Sequence, residues 1–216
     1  MGSRSHRFLA LGDSYTIGES VGESDRWPNQ LAQRLRAERI VVDPPQIIAK
    51  TGWTTDELLA EIGSVPPSPP FDLVSLLIGV NNQYRGRDAD EYASELEVLL
   101  SLAIDFADGA PARVIVLSIP DWGVTPYAAE RDRDAIRLAI DEFNRRKRER
   151  SQRLGCHFVD ITPHSRNAAE DTSLIASDGL HPSATMYAAW CDQVMPSARL
   201  ALSGLPPGTL GLSPGA

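Results

Sequence analysis

The sequence is poor in cysteine and aromatic residues, and it has no long hydrophobic run. Of its 216 residues, only 2 are cysteine and 6% are aromatic. Cys156 and Cys191 stand outside any CxxC pattern, so we expect buried free thiols. No stretch approaches the roughly 18 apolar residues of a transmembrane helix. The apolar run after Met1–Arg7 is too short for a signal peptide. We therefore expect a cytoplasmic protein without a membrane span.

Positive charge is scarce relative to negative charge. The chain has 21 Lys and Arg against 29 Asp and Glu, a formal net charge of −8. Because nucleic-acid binding needs a basic face for the phosphates, nucleic acid is not an expected partner. The densest basic run, residues 145–153, lies in a segment with helical periodicity. It is interpreted as a solvated helix face, with a contact for an acidic partner as the alternative.

The overall composition is that of an ordinary globular protein, with 42% hydrophobic and 23% charged residues. A chain of this length buries roughly 70% of its unfolded surface and needs no disulfide or metal to fold. We expect a single domain over residues 1–204. The Pro- and Gly-rich tail, residues 205–216, is expected to be flexible and to add little to it.

Strand and helix patterns alternate along the chain. Apolar runs predict five strands, at Phe8–Leu11, Gln46–Ala49, Asp72–Ile78, Val114–Ile119 and His157–Ile161. Helical spacing of apolar residues predicts helices at Trp27–Ile40, Thr54–Ile62, Ala89–Ala107, Asp132–Leu154 and Ala184–Leu202. Continuous apolar strands alternating with helices predict a parallel sheet covered on both faces. The fold class is therefore a three-layer α/β/α domain with five parallel strands, flavodoxin-like in outline.

Polar or glycine-bearing segments follow the predicted strands. They are Gly12–Tyr15, Thr51–Trp53, Gly79–Gln83 and, before the last helix, Asp178–Pro182. In open α/β sheets ligands bind beyond the carboxyl ends of the strands. We therefore expect these four segments to meet at one edge of the sheet.

Together the four segments contain the groups that acyl transfer needs. Ser14 is a candidate nucleophile, and His181 is a candidate base because an unperturbed histidine is mostly neutral at pH 7. Asp178 precedes the histidine by three residues and can orient its ring. The backbone N–H groups of Ser14 and Gly52 and the amide of Asn81 are candidate donors to an oxyanion.

In these blocks the sequence resembles the SGNH or GDSL hydrolases. Gly-Asp-Ser, a glycine after the second strand, Gly-x-Asn and Asp-x-x-His occur in the family's order between residues 12 and 181. The resemblance implies an esterase that acts on a small-molecule ester without metal or cofactor. It implies that Ser14 is the nucleophile, that Gly52 and Asn81 complete the oxyanion hole, and that Asp178 and His181 complete the triad.

Two positions depart from the family's pattern. Tyr15 stands where the GDSL name has leucine, which changes no catalytic role. Asn82 stands where an aspartate often follows the catalytic asparagine, which leaves a supporting hydrogen bond in doubt. Asp13 is interpreted as structural, because a carboxylate beside the nucleophile opposes the developing negative charge.

Each candidate also has an ordinary structural interpretation, as an N-cap, a turn residue or a surface side chain. Among the other histidines, His6 and His157 fall at the wrong edge of the predicted sheet, and His164 is the rival base. Asp160 and His164 lack a third ligand at a suitable spacing for a metal site.

Aromatic residues near the blocks are candidates for the pocket lining. Trp53 and Tyr84 are predicted to bind substrate, with core packing as the alternative, and Trp122 is a weaker candidate. Arg85 and Arg87 either meet an anionic substrate group or are solvated loop charges.

The substrate is less well determined than the reaction. No separate lid domain appears in the sequence, which favours a shallow site and a small or solvent-exposed acyl ester. A thioesterase and a carbohydrate O-deacetylase use the same groups and stay open, as does the oligomeric state. A rival of another class is a non-catalytic flavodoxin-like module that holds a phosphate or flavin at Gly12–Ile17. Against it, that turn carries Asp13 and no lysine.

Overall fold

The structure is a computed structural model that describes residues 4–208. Its centre is a five-stranded parallel sheet in the order β2-β1-β3-β4-β5. The strands are β1 (Phe8–Gly12), β2 (Gln46–Ala49), β3 (Leu73–Leu77), β4 (Val114–Leu117) and β5 (His157–Val159). Every residue of β1, β3 and β4 is buried, as continuous apolar strands covered on both faces require. The predicted fold class is confirmed.

Helices cover the sheet in two layers. They are α1 (Ser14–Ile17), α2 (Trp27–Ala37), α3 (Thr55–Ser64), α4 (Val80–Tyr84), α5 (Ala89–Phe106), α6 (Arg133–Arg153), α7 (Thr162–Ser165) and α8 (Ala184–Leu202). In one layer α2 packs against α8, and in the other α5 packs against α3 and α6. The sequence predicts the five longer helices; α1, α4 and α7 are single turns that periodicity does not detect.

The ends of the elements follow local backbone chemistry. Thr54 and Glu57 form a capping box at the start of α3. The helix predicted to reach Ile40 ends three residues earlier, because Arg39 adopts a φ of 66°. The Ile40 N–H then turns back to the carbonyl of Leu35, at 3.0 Å. The third, fourth and fifth strands are also shorter than predicted, and they end at Leu77, Leu117 and Val159.

The basic run on α6 is solvated except at Lys147. Arg145, Arg146 and Arg148 form ion pairs with acidic side chains on or near the helix. Lys147 is instead 0% exposed, and its ammonium donates to the carbonyls of Ile78 at 2.8 Å and Leu117 at 3.0 Å. The interpretation of the run as a solvated face is therefore wrong for this residue.

The remaining expectations about the chain as a whole have mixed outcomes. Cys156 and Cys191 are buried free thiols, as predicted. Among residues 4–208, no helix is long and apolar enough to cross a membrane. The predicted tail begins just after α8, where the Leu205 carbonyl contacts the His157 ring at 3.2 Å. Residues 209–216 of the tail lie outside the described residues.

Candidate active site

Ser14 lies directly beyond β1, at the first position of α1. Its side chain is buried, with the residue 5% exposed. An N–H at the first position of a helix has no intrahelical partner, so that of Ser14 is available to a ligand. Only a glycine fits at position 12, at the end of β1, because a Cβ there would lie 2.4 Å from the Leu77 carbonyl oxygen. The close packing at the end of β1 therefore fixes the position of Ser14, two residues further on.

Asp13 caps α1 from inside the protein. One carboxylate oxygen accepts the N–H of Tyr15 at 3.0 Å, and the residue is 0% exposed. Burial raises the pKa of Asp13 to about 7, against the opposing effects of the Tyr15 N–H and the positive charge of Lys147. These contacts are those of a structural residue. They also place a carboxylate at the start of α1, where the phosphate of the rival flavodoxin-like module would have to bind.

Asp178 and His181 form a hydrogen-bonded pair before α8. The imidazole Nδ1 lies 2.6 Å from one carboxylate oxygen, which also accepts the Ser20 hydroxyl at 2.6 Å. The other oxygen accepts the N–H groups of Leu180 and His181, both at 2.9 Å. Partial burial raises the pKa of Asp178, but these hydrogen bonds outweigh it and hold the pKa well below its usual value. An ionised carboxylate therefore orients the ring and leaves Nε2 free.

Gly52 forms the turn beyond β2 with a φ of 86°, a conformation that side chains other than glycine rarely adopt. The Arg85 guanidinium donates to its carbonyl at 2.7 Å and also pairs with Glu57 at the start of α3. Arg85 thus supports the Gly52 turn, while Arg87 pairs with Asp56. Both arginines have protein partners.

Asn81 lies in the first turn of α4, beyond β3. Its amide nitrogen donates to the Trp53 carbonyl at 2.9 Å. Because an amide nitrogen carries two protons, this bond orients the group and leaves one N–H for a ligand. The neighbouring Asn82 is fully buried and bonds Thr55 twice, to its N–H at 3.1 Å and its hydroxyl at 2.6 Å. Both the oxygen and the nitrogen of the Asn82 amide therefore have protein partners.

One pocket brings most of these groups together. It has a volume of about 130 Å³ and is lined by Ser14, Tyr15, Thr51, Gly52, Val80, Asn81, Tyr84, Trp122, Tyr127, Leu180 and His181. Four of the five predicted triad and oxyanion-hole residues line it, and Asp178 stands behind His181. The edge of the sheet therefore combines a serine, an imidazole–carboxylate pair and three candidate oxyanion donors.

One side of the pocket is a group of three rings, Tyr84, Trp122 and Tyr127, which we call the aromatic wall. Their ring centroids lie 5.3 to 6.4 Å apart, as expected for edge-to-face and tilted pairs. The two tyrosine hydroxyls are hydrogen-bonded at 2.9 Å, and the Trp122 N–H donates to Gln83 at 2.8 Å. The wall is thus a connected unit.

The aromatic wall differs in part from the predicted lining. Tyr84 lines the pocket as expected, and so does the weaker candidate Trp122. Trp53 is half-buried against the core and is not among the lining residues in the described part of the chain. It contributes its backbone carbonyl to Asn81 instead. Sequence reasoning missed Tyr127; the signal was its place in the long segment after the fourth strand.

The rival groups lie elsewhere. His157 begins β5, at the amino end of the sheet, and His6 precedes β1. His164 lies in α7 and is not among the residues that line the pocket. Asp160 pairs with Arg148. Within residues 4–208, no group of three or more histidine, cysteine or acidic side chains is arranged to hold a metal ion.

Comparison with known families gives a match over most of the chain. The model described as "GDSL-like Lipase/Acylhydrolase family" matches residues 10–189. This span includes every candidate triad and oxyanion-hole residue. No curated protein matches the sequence significantly.

Solved structures share the architecture at low sequence identity. A lipolytic G-D-S-L family protein from Veillonella parvula DSM 2008 has a TM-score of 0.68 at 17% identity, over 88% of this chain and 96% of that one. The psychrotrophic esterase EstA from Pseudoalteromonas sp., inhibited by monoethylphosphonate, gives 0.66 at 17%, over 92% and 100%. The acetylxylan esterase Axe2 from Geobacillus stearothermophilus gives 0.66 at 19%, over 91% and 94%. At these identities the likeness shows a common fold.

Proposed function

The chain belongs to the GDSL-like lipase/acylhydrolase family and is an esterase, and on that premise we propose that it cleaves small acyl esters with Ser14 as nucleophile. The observation that carries the proposal is the shared pocket of Ser14, Gly52, Asn81 and His181, with the imidazole held by Asp178 at 2.6 Å. A metal or cofactor has no part in the proposed reaction.

The proposed reaction has two steps. The Ser14 oxygen bonds to the ester carbonyl carbon while Nε2 of His181 takes the hydroxyl proton. The carbonyl electron pair moves onto oxygen, where the N–H groups of Ser14 and Gly52 and the amide of Asn81 stabilise it. The carbon–oxygen bond to the alcohol then breaks, and the alcohol takes the proton from His181. In the second step the same imidazole takes a proton from water, whose oxygen bonds to the acyl carbon. The bond from that carbon to the Ser14 oxygen then breaks, the acid leaves, and Ser14 takes the proton back from His181.

The pocket dimensions favour a short acyl group. A volume of about 130 Å³ is well below the several hundred Å³ of a site for a drug-sized ligand. The hydrogen bond between Tyr84 and Tyr127 joins two rings across one side, which limits the space for a chain. The apolar lining supplied by Val80, Trp122 and Leu180 suits a small alkyl group.

Removal of acetyl groups from a carbohydrate is a second candidate function. Tyr84 and Tyr127 are 44% and 46% exposed, so both residues are accessible to the alcohol part of a substrate at the mouth of the pocket. The similarity to an acetylxylan esterase fold is consistent with this candidate. A thioesterase would use the same nucleophile and oxyanion donors, with a thiolate as leaving group.

Substrate screening with a nucleophile variant tests the proposal. We expect wild-type protein to hydrolyse p-nitrophenyl acetate and butyrate faster than longer esters, and Ser14→Ala to reduce turnover to background. An alkyl phosphonate probe should add one covalent adduct to wild type and none to Ser14→Ala, by intact mass. Ser94→Ala, an exposed serine on α5, is the matched control. Full activity in Ser14→Ala would disprove the proposal. Acetylated xylooligosaccharides and acyl-CoA, assayed alongside, separate the alternatives.

A further inference from the structure

A fully buried lysine lies beneath the candidate site and has no part in the proposed reaction. Lys147 extends from α6 into the interior, where its ammonium bonds the carbonyls of Ile78 and Leu117. These two carbonyls lie at the carboxyl ends of the neighbouring strands β3 and β4. A single side chain therefore bridges the strand ends from which Asn81 and the aromatic wall emerge.

Burying an ammonium is costly unless partners compensate for the lost water. The two carbonyls compensate in part, and the carboxylate of Asp13 supplies the opposite charge within the same buried region. Burial lowers the pKa of Lys147 to about 7, while the negative charge of Asp13 opposes that decrease. A methionine of similar length would fill the same space without this cost. Packing alone therefore does not account for a lysine at position 147.

The Ile78 carbonyl belongs to the peptide that leads into α4. The next residue, Gly79, has a φ of 122°, and a Cβ on it would lie 2.6 Å from the Tyr92 ring. The Tyr92 hydroxyl approaches the same Ile78 carbonyl at 3.5 Å. Two buried donors thus fix the orientation of this peptide, and Asn81 follows it by only three residues.

We propose that Lys147 is a positioning residue for the oxyanion hole, acting through the Ile78 carbonyl to hold the first turn of α4 and the amide of Asn81. Without its ammonium, the Ile78–Gly79 peptide loses its stronger donor and gains freedom to rotate. The Asn81 amide then shifts relative to the carbonyl oxygen of the substrate. This inference rests on the proposed function, because it concerns the transition state of that reaction.

Steady-state kinetics of Lys147→Met, measured on p-nitrophenyl acetate, test the inference. We expect kcat to fall by about 10- to 100-fold, less than for loss of an oxyanion donor, with KM within about 3-fold of wild type. A double-mutant cycle with Asn81→Ala gives the sharper readout. In the Asn81→Ala background, Lys147→Met should lower kcat by less than about 3-fold further, because the group it positions is gone. A purely structural role would reduce kcat by the same factor in both backgrounds.

Two further variants keep the test decisive. Lys147→Gln retains a donor without the charge and should keep a kcat between those of wild type and Lys147→Met; if the methionine variant fails to fold, the cycle is run with glutamine. Arg145→Met removes an exposed positive charge from the same helix and should match wild type. An unchanged kcat in the Lys147 variants, or equal losses in both backgrounds, overturns the inference. If wild type itself lacks Ser14-dependent hydrolysis, the proposed function fails instead.

Discussion

The two sides of the pocket are built differently. Ser14, Gly52, Asn81 and His181 stand on turns held by backbone bonds or by buried polar partners, at the carboxyl ends of strands or just before α8. The aromatic wall stands on α4 and on the segment after β4, in which Trp122 and Tyr127 lie in two short 3-10 helices. Its two tyrosines are nearly half exposed, and one bond between their hydroxyls joins them. The groups of the first side, which we call the reactive side after their proposed role, are thus held by backbone turns and buried partners. On the aromatic wall, Tyr84 shares α4 with Asn81, but its link to Tyr127 is a bond between exposed side chains.

This difference predicts separable effects. The hydrogen-bond register of a parallel sheet fixes the relative positions of its strand ends. Groups placed at those ends are therefore preorganised for the transition state. We expect the exposed tyrosines of the aromatic wall to contact the parts of a substrate that do not react, and such contacts contribute mainly to binding. Changes to the first side should therefore reduce kcat, and changes to the aromatic wall should alter the choice of substrate.

The largest effect is expected at the imidazole–carboxylate pair. Asp178→Asn should reduce kcat by about 10³- to 10⁴-fold, because the amide does not hold the imidazole in the tautomer that leaves Nε2 free to accept a proton. Kinetics on p-nitrophenyl acetate measure the loss. Asp171→Asn, which replaces a helix-capping carboxylate in the same region, is the matched control. A loss below 10-fold would remove Asp178 from the proposed triad.

The next effect concerns the oxyanion hole. Asn81→Ala should lower kcat by about 10²- to 10³-fold with little change in KM, because the donor acts on charge that develops only in the transition state. Asn29→Ala on α2 controls for the loss of an amide remote from the pocket. An increase in KM at constant kcat would show that Asn81 binds ground-state substrate instead, and the contrast between the two sides of the pocket would weaken.

A smaller effect is expected at the aromatic wall. Tyr127→Ala opens one side of the pocket, so kcat/KM for p-nitrophenyl octanoate relative to acetate should rise by about 10-fold, as a gain near 0.8 kcal/mol per buried methylene permits. Tyr127→Phe removes only the hydroxyl bond and should shift the ratio by about 2-fold. Leu138→Ala, an exposed change on α6, should leave the ratio as it is. If kcat for acetate collapsed and the ratio stayed constant, the aromatic wall would belong to the reactive side.

The smallest effect is on stability in acid. Because the folded-state pKa of Asp178 is lowered, the stabilisation from its ionised form is present above the unfolded pKa, near 4, and is lost as pH falls through the folded value. The difference in unfolding free energy between wild type and Asp178→Asn should therefore shrink between pH 5 and pH 2. Urea denaturation at several pH values measures it. A difference that grew toward low pH would contradict the lowered pKa.

Much of this arrangement was accessible from sequence because it depends on local patterns. Apolar runs locate the strands, helical spacing locates the longer helices, and the rule on strand ends brings Ser14 and Asn81 to one edge. Residues next to a strand end inherit their position from the sheet. That is why the placement of these residues at one edge was predicted more fully than the direction of the aromatic side chains.

The remainder depends on contacts between distant segments. Lys147 stands in a run of chemically similar residues, and its partner carbonyls lie 69 and 30 positions away, so no local pattern distinguishes it from its exposed neighbours. Trp53 and Trp122 each follow a strand, yet only the second ring turns into the pocket. The direction in which such a ring points depends on packing against distant residues, which no local sequence pattern reveals.

The hydrogen bond from Ser20 to Asp178 has a consequence for how the enzyme matures. It joins residues 158 positions apart, just after the first strand and just before the last helix. Contacts between such distant segments carry a large entropy of closure and favour slow assembly. Until these two segments meet, the Asp178 carboxylate that orients the imidazole lacks its bond from the Ser20 hydroxyl. Recovery of activity during refolding should therefore report closure of the two ends of the chain, later than compaction or helix formation.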